Sequence, residues 1–157
     1  MGRVLEDDDN GFVIESEINI SALPTHVFDA LGELQRWWDP EHSFGRDARN
    51  LSLNTSPDGL FLESLGTNQG VVHARVVDAQ RGKLLRLSGA LGPLQSLGAH
   101  GTLTLRMEPL AESTTLTLNY IVIGRNLRGW ADAVEQVLSE QLIRLKSFLE
   151  TGTSNPV

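Results

Sequence analysis

The chain contains no cysteine, which removes disulfides, thiolate metal sites and a cysteine nucleophile from consideration. No run approaches the ~20 apolar residues that cross a bilayer as a helix. The N-terminus lacks the charged-then-apolar pattern of a secretion signal. Positive charge is scarce, with 13 Lys and Arg against 20 Asp and Glu and a formal net charge of −7. The basic residues are scattered rather than gathered in a stripe, which argues against nucleic acid or an anionic membrane as partner. Catalytic signatures are missing as well: there is no HExxH, no GxSxG and no phosphate-cradling glycine loop. Gly89-Ala90-Leu91-Gly92 follows a strand pattern but lacks the third glycine and the helix of a dinucleotide loop. No cofactor and no metal are expected.

What remains is the composition of an ordinary globular protein, 40% hydrophobic and 21% charged over 157 residues. A chain of this size buries roughly 70% of its unfolded surface, enough for a core and a cavity. No internal repeat or low-complexity linker divides it, so a single domain is expected over 12–150. Residues 1–11, with Glu6-Asp7-Asp8-Asp9 in the middle, read as a disordered lead-in or as the remnant of a removed signal, and 151–157 as a flexible tail. The expected compartment is the cytoplasm.

Phe12, Ile14, Ile18 and Ile20 alternate with polar positions as a half-buried first strand. Pro24 suits the first turn of a helix, and Val27, Phe28, Leu31 and Leu34 give one apolar face to a short helical pair ending at Trp37-Trp38-Asp39-Pro40. Six strand patterns follow, at about Asn50–Asn54, Leu60–Leu65, Val71–Ala79, Leu84–Ala90, Thr102–Glu108 and Thr114–Ile123. Turn formers separate most of them, which implies antiparallel hairpins. Trp130, Val134, Val137, Leu138, Leu142, Leu145, Phe148 and Leu149 recur at helical spacing, and Gly152 offers a stop. This amphipathic helix needs a surface to cover, and the sheet is the only large candidate.

The expected class is therefore α+β, a curved antiparallel sheet of about seven strands around a long C-terminal helix, the helix-grip fold. The segments Ile20-Ser21-Ala22-Leu23-Pro24-Thr25-His26-Val27-Phe28-Asp29-Ala30-Leu31, Trp37-Trp38-Asp39-Pro40, Gly82-Lys83-Leu84-Leu85-Arg86-Leu87 and Thr114-Thr115-Leu116-Thr117-Leu118 resemble the START-like superfamily. That group includes pollen-allergen-type proteins, polyketide cyclases and activator-of-heat-shock-protein-ATPase-like domains, the last being the nearest branch. The resemblance implies a cavity between sheet and helix that takes lipids, steroids, polyketides or other apolar small molecules. It implies no single activity.

Glu63 and His73 are the candidate acid–base couple. If Thr67–Gln69 form the hairpin loop, Glu63 faces His73, Phe61 faces Arg75 and Leu65 faces Val71. The opposite face, with Leu60, Leu62, Val72, Ala74 and Val76, is the more apolar, so the pair reads either as a solvated cross-strand contact or as polar groups in a cavity. Of Trp37 and Trp38, adjacent on a helical segment, one is expected in the core and the other at the cavity rim or on a ligand. His42, in a loop with carboxylates and Asp47 nearby, matches no metal-ligand spacing. His100 and His26 are expected at the surface. Tyr120 lies on an apolar strand face, so its buried hydroxyl needs water, backbone or a ligand as partner. Arg86 is either an outward residue or an anchor for a carboxylate ligand, and Trp130 either a packing anchor or a ligand contact. The segment Leu91–Leu97, with Leu94 and Leu97, is apolar for a loop. It reads as a flap over the cavity, a patch for a protein partner, or a loop packed on the core.

Overall fold

The computed structural model describes residues 1–155. In chain order its elements are β1 (Gly2–Asp8), β2 (Gly11–Ile20), α1 (Pro24–Leu31), β3 (Leu51–Leu53), β4 (Leu60–Gly66), β5 (Gln69–Gln80), β6 (Leu84–Ser88), β7 (His100–Leu110), β8 (Ser113–Ile123) and α2 (Ala131–Thr151). The strands form one eight-stranded sheet in the order β1-β2-β8-β7-β6-β5-β4-β3. Every neighbouring pair is antiparallel.

The alternation in β2 and β8 does what the pattern requires. Phe12, Ile14, Leu116, Leu118, Tyr120 and Val122 are buried on the face that α2 covers. Leu138, Leu142 and Leu145 close that core from the helix side, each burial worth ~1.5–3 kcal/mol. Ser16 on β2 meets Ser139 on α2 at 2.9 Å, so the small polar residues at the crossing satisfy one another. Gly152, at φ 82°, caps the helix in the left-handed conformation that glycine adopts freely.

After β2 the chain must travel to the far edge of the sheet, because β3 lies at the opposite end of the strand order. α1 and short 3-10 turns at Leu34–Arg36, Pro40–His42 and Ala48–Asn50 make that crossing. α2 holds the crossing down. Arg144 Nε donates to the Trp37 carbonyl at 2.8 Å, and the Asp39 N–H donates to Gln141 Oε1 at 2.9 Å.

Two expectations are corrected. Residues 1–11 are not a disordered lead-in but the edge strand β1 and its hairpin turn. Val4 packs on the core, and Gly2 lies so close to Glu135 and Ser139 of α2 that a Cβ would collide with them. The acidic run hides the strand from a hydrophobicity pattern, and it is also what keeps such an edge from pairing with other chains. At the other end Thr151 closes α2, while Pro156 and Val157 of the expected tail lie outside the described residues.

The second correction concerns the β4–β5 hairpin. Phe61 pairs with Ala74 and Leu62 with Val72, so His73 is an extra residue at a bulge. Glu63 therefore faces Val71 rather than His73, and Phe61 does not face Arg75. A bulge turns two successive side chains to one side of the sheet, and His73 and Ala74 are both buried. Leu60 and Leu62 are left half-buried and Val72 exposed, while Phe61 and Glu63 take the inner face.

Candidate functional site

Between α2 and the inner face of the sheet lies a cavity of about 300 Å³. The N-terminal half of α2 forms one wall with Trp130, Val134, Val137 and Leu138, and the sheet forms the floor with Leu51, Phe61 and His73. The crossing segment contributes Trp38, His42 and Phe44, and Leu91–Leu94 lie over the opening. The apolar stripe of α2 thus has two uses. Its C-terminal half packs on the sheet, and its N-terminal half faces the cavity.

Phe44 and Phe61 stand beside the His73 imidazole, with ring centroids at 5.6 and 5.0 Å. Both ring nitrogens are engaged. Nε2 is 3.0 Å from Glu63 Oε1, and Nδ1 accepts from the Gly92 N–H at 3.3 Å. A backbone N–H can only donate, so Nδ1 carries the lone pair, and Nε2 carries the proton given to Glu63. The bulge, the carboxylate and the Gly92 amide together set one tautomer, and His73 is part of the cavity wall.

Glu63 has no exposed surface. Its Oε2 accepts from the Gly45 N–H at 2.7 Å, and Oε1 accepts from the Phe44 N–H at 3.2 Å as well as from His73. Burial pushes the carboxyl upward, but the Gly45 N–H, His73 and the Phe44 N–H outweigh it and hold the group below its usual range. It is a buried anion fixed in place, able to orient His73 and to stabilise positive charge on it.

Tyr120 anchors the loop from beneath. Its hydroxyl donates to the Gly89 carbonyl at 2.9 Å and accepts from the Leu91 N–H at 3.0 Å. Burial raises the phenol to about 12, so it stays protonated. Leu94 is fully buried, and Gln95 Nε2 donates to the Val72 carbonyl at 2.8 Å. Leu91–Leu94 are accordingly part of the cavity wall, and Leu94 packs in the core.

The structure brings Trp38, His42, His73, Leu94 and Trp130 together in the cavity wall. Others stand elsewhere. Trp37 is the core member of the tryptophan pair, its Nε1 donating to the Ala30 carbonyl at 2.8 Å. Trp38 is the rim member, its Nε1 donating to the His42 carbonyl at 3.0 Å. Tyr120 is satisfied by backbone and does not reach the cavity. Arg86 is half-exposed and donates to Thr104 Oγ1 at 3.0 Å, the outward reading rather than a ligand anchor. Leu97 is exposed, beyond the part of the segment that lines the cavity. His26 and His100 are exposed. His42 lies 3.5 Å from Glu140, and Asp47 binds Arg49. Asp39, His42 and Glu140 offer ligand atoms within 4.8 Å of one another at the cavity mouth. The Phe44, Gly45 and Gly92 amides, which complete the site, were invisible in the sequence because any residue supplies a backbone N–H.

No family model matches the chain, and no curated protein does. Solved structures are similar to it over nearly its whole length. A conserved protein of unknown function, EF2215 from Enterococcus faecalis, aligns with a TM-score of 0.70 at 17% identity, covering 99% of this chain and 80% of that one. CalU16 from Micromonospora echinospora gives 0.64 at 12% identity, with 97% and 88% covered. The Aha1 dimer from Colwellia psychrerythraea gives 0.64 at 18% identity, with 89% and 97% covered. The chain has the helix-grip fold that these structures share, with a cavity between the sheet, α2 and the Leu91–Leu94 segment.

Proposed function

We propose that this protein binds an apolar small molecule in the cavity beneath the flap, as a carrier or sensor. The observation that carries the reading is the space itself. About 300 Å³ lies between mostly apolar walls, at the small end of the ~300–1,000 Å³ typical of ligand sites. Leu94 is buried in the cavity wall, which favours a lid over a protein-docking patch of the kind a heat-shock ATPase activator would need. Lipids, steroids and polyketide-like compounds are the classes that the fold suggests. The test is native mass spectrometry of protein purified from its own host, followed by titration calorimetry with compounds of those classes. One ligand per chain is expected. A bare mass together with no measurable binding across the panel would overturn the reading.

A second reading, an enzyme of the cyclase or hydrolase type, is favoured by one observation. Glu63 and His73 are buried as a hydrogen-bonded couple, and His73 is one of the residues that line the cavity. A general base needs that arrangement. Under this reading His73→Phe would retain ligand affinity while abolishing turnover of a bound substrate. Unchanged turnover would exclude it.

A further inference from the structure

We infer that the ligand is an apolar molecule bearing a neutral hydroxyl, a phenol, enol or alcohol, which donates its hydrogen bond to His73 Nδ1 in place of the Gly92 amide. The inference rests on the binding reading and names the chemistry selected within that cavity.

Nδ1 is the acceptor that the architecture presents. The other nitrogen is consumed by Glu63 at 3.0 Å, and both Glu63 oxygens are consumed in turn by His73 and the Phe44 and Gly45 amides. The present partner of Nδ1 is the N–H of Gly92 at 3.3 Å, a long bond to a residue of the flap. Gly92 sits at φ 54°, a conformation glycine adopts freely, with no heavy atom within 4 Å of where a Cβ would stand. An entering hydroxyl replaces the long bond with a shorter one, and its oxygen offers the freed Gly92 N–H an acceptor. The exchange leaves Nδ1 satisfied in both the empty and the filled state.

Charge decides which donor. Among the described residues no Lys or Arg lines the cavity, and its ionisable wall residues are Glu41, His42 and His73. A carboxylate or phosphate ligand would enter beside the Glu63 anion with no cation to receive it. Of the described wall residues only Glu41 offers an ammonium ligand a carboxylate, and it is a solvent-exposed one, while Glu63 is fully buried and does not line the cavity. A neutral hydroxyl meets neither penalty. Once bound, it faces an imidazole whose other edge is held by an anion, which strengthens Nδ1 as an acceptor.

The test compares 2-naphthol with 2-methylnaphthalene and 2-naphthoate, one apolar frame carrying a hydroxyl, a methyl or a carboxylate. In calorimetry 2-naphthol is expected to bind about tenfold more tightly than 2-methylnaphthalene, with 2-naphthoate the weakest. In long-range ¹H–¹⁵N spectra of the wild-type protein, the His73 Nδ1 resonance is expected to move with 2-naphthol and to stay put with 2-methylnaphthalene. His73→Phe should bring the naphthol and methylnaphthalene affinities together. The wild-type spectra and ligand ratios decide the matter even if that variant does not fold. Equal binding of naphthol and methylnaphthalene, or a preference for naphthoate, would overturn the inference while leaving the apolar cavity intact. Binding of none of the three here, together with failure of the lipid, steroid and polyketide panel, would overturn both.

Discussion

A carboxylate with no exposed surface is stable only when its oxygens are occupied, and Glu63 accepts from the Phe44 and Gly45 amides and from His73. Its carboxyl is held below the ordinary 4.5, so the ionised form is the one the fold favours. The resulting stabilisation is complete above pH ~4.5 and is lost as acid takes the pH down through the lowered value. Glu63→Gln should cost ~2–3 kcal/mol at pH 7, because an amide NH₂ would face backbone N–H groups across the same short distances. That deficit should shrink at pH 3.5. Urea midpoints at the two pH values measure it, and a deficit independent of pH would contradict the assignment. Tyr120 makes a parallel case with a neutral group. Tyr120→Phe keeps the edge-on contact with Phe12 at 6.5 Å but orphans the Gly89 carbonyl and the Leu91 N–H. The expected loss is ~1–3 kcal/mol, with faster amide exchange at Leu91; unchanged exchange there would mean the hydroxyl does not hold the flap. Glu63 and His73 were paired in the sequence by a hairpin register that put them directly opposite; the bulge shifts that register, yet the two side chains still meet at 3.0 Å. Their environment was not legible, since backbone donors from distant loops leave no trace in residue type.

At the scale of elements, what could be read depended on how strongly each pattern was forced. α2 was plain from its stripe, and β2 and β8 from strict alternation. The β4–β5 hairpin misled because Leu60-Phe61-Leu62 is apolar on both faces, so nothing in it marked the bulge at His73 that reverses the parity of β5 below Ala74. The flap is an element whose apolar character was readable and whose seat was not. Leu94 is its buried anchor, and Leu97 three residues on is exposed. Leu94→Ala should destabilise the protein by ~2–5 kcal/mol. It should also enlarge the cavity, so that ligands bulkier than those held by the wild type gain affinity relative to small ones. Thermal melts and a size-graded ligand series report the two effects. A stability loss with no change in size preference would place Leu94 in the core but outside the ligand wall.

At the scale of the whole molecule, the sheet has two ends, and they are finished differently. β3 is only three residues long, too short to template much pairing, whereas β2 would be a ten-residue edge without β1 in front of it. β1 covers that edge with pairs from Gly2–Ser16 to Asp8–Gly11 and carries the exposed carboxylates Glu6, Asp7 and Asp8. A long strand left open invites pairing with a second chain, and a short or strongly acidic one resists it; β2 carries only Glu15 and Glu17 over its ten residues. Arg128 Nε also binds Asp9 at 3.1 Å, and the Leu127 N–H binds the Asp9 carbonyl at 3.0 Å, so the β1–β2 turn steadies the approach to α2. Deleting residues 1–9 should therefore do two things at once. The melting temperature should fall by roughly 5 °C, corresponding to ~2 kcal/mol in a domain of this size. The truncated protein should also self-associate through β2 at concentrations where the intact chain does not, visible by light scattering after gel filtration. Replacing Phe12 or Ile14 would confuse the two effects, because both side chains are core. Ile18→Lys, at a half-buried position near the far end of β2, should instead suppress association of the truncated chain. If truncation lowers the melting temperature but the protein stays monomeric, β1 serves packing against α2 rather than protection of the edge.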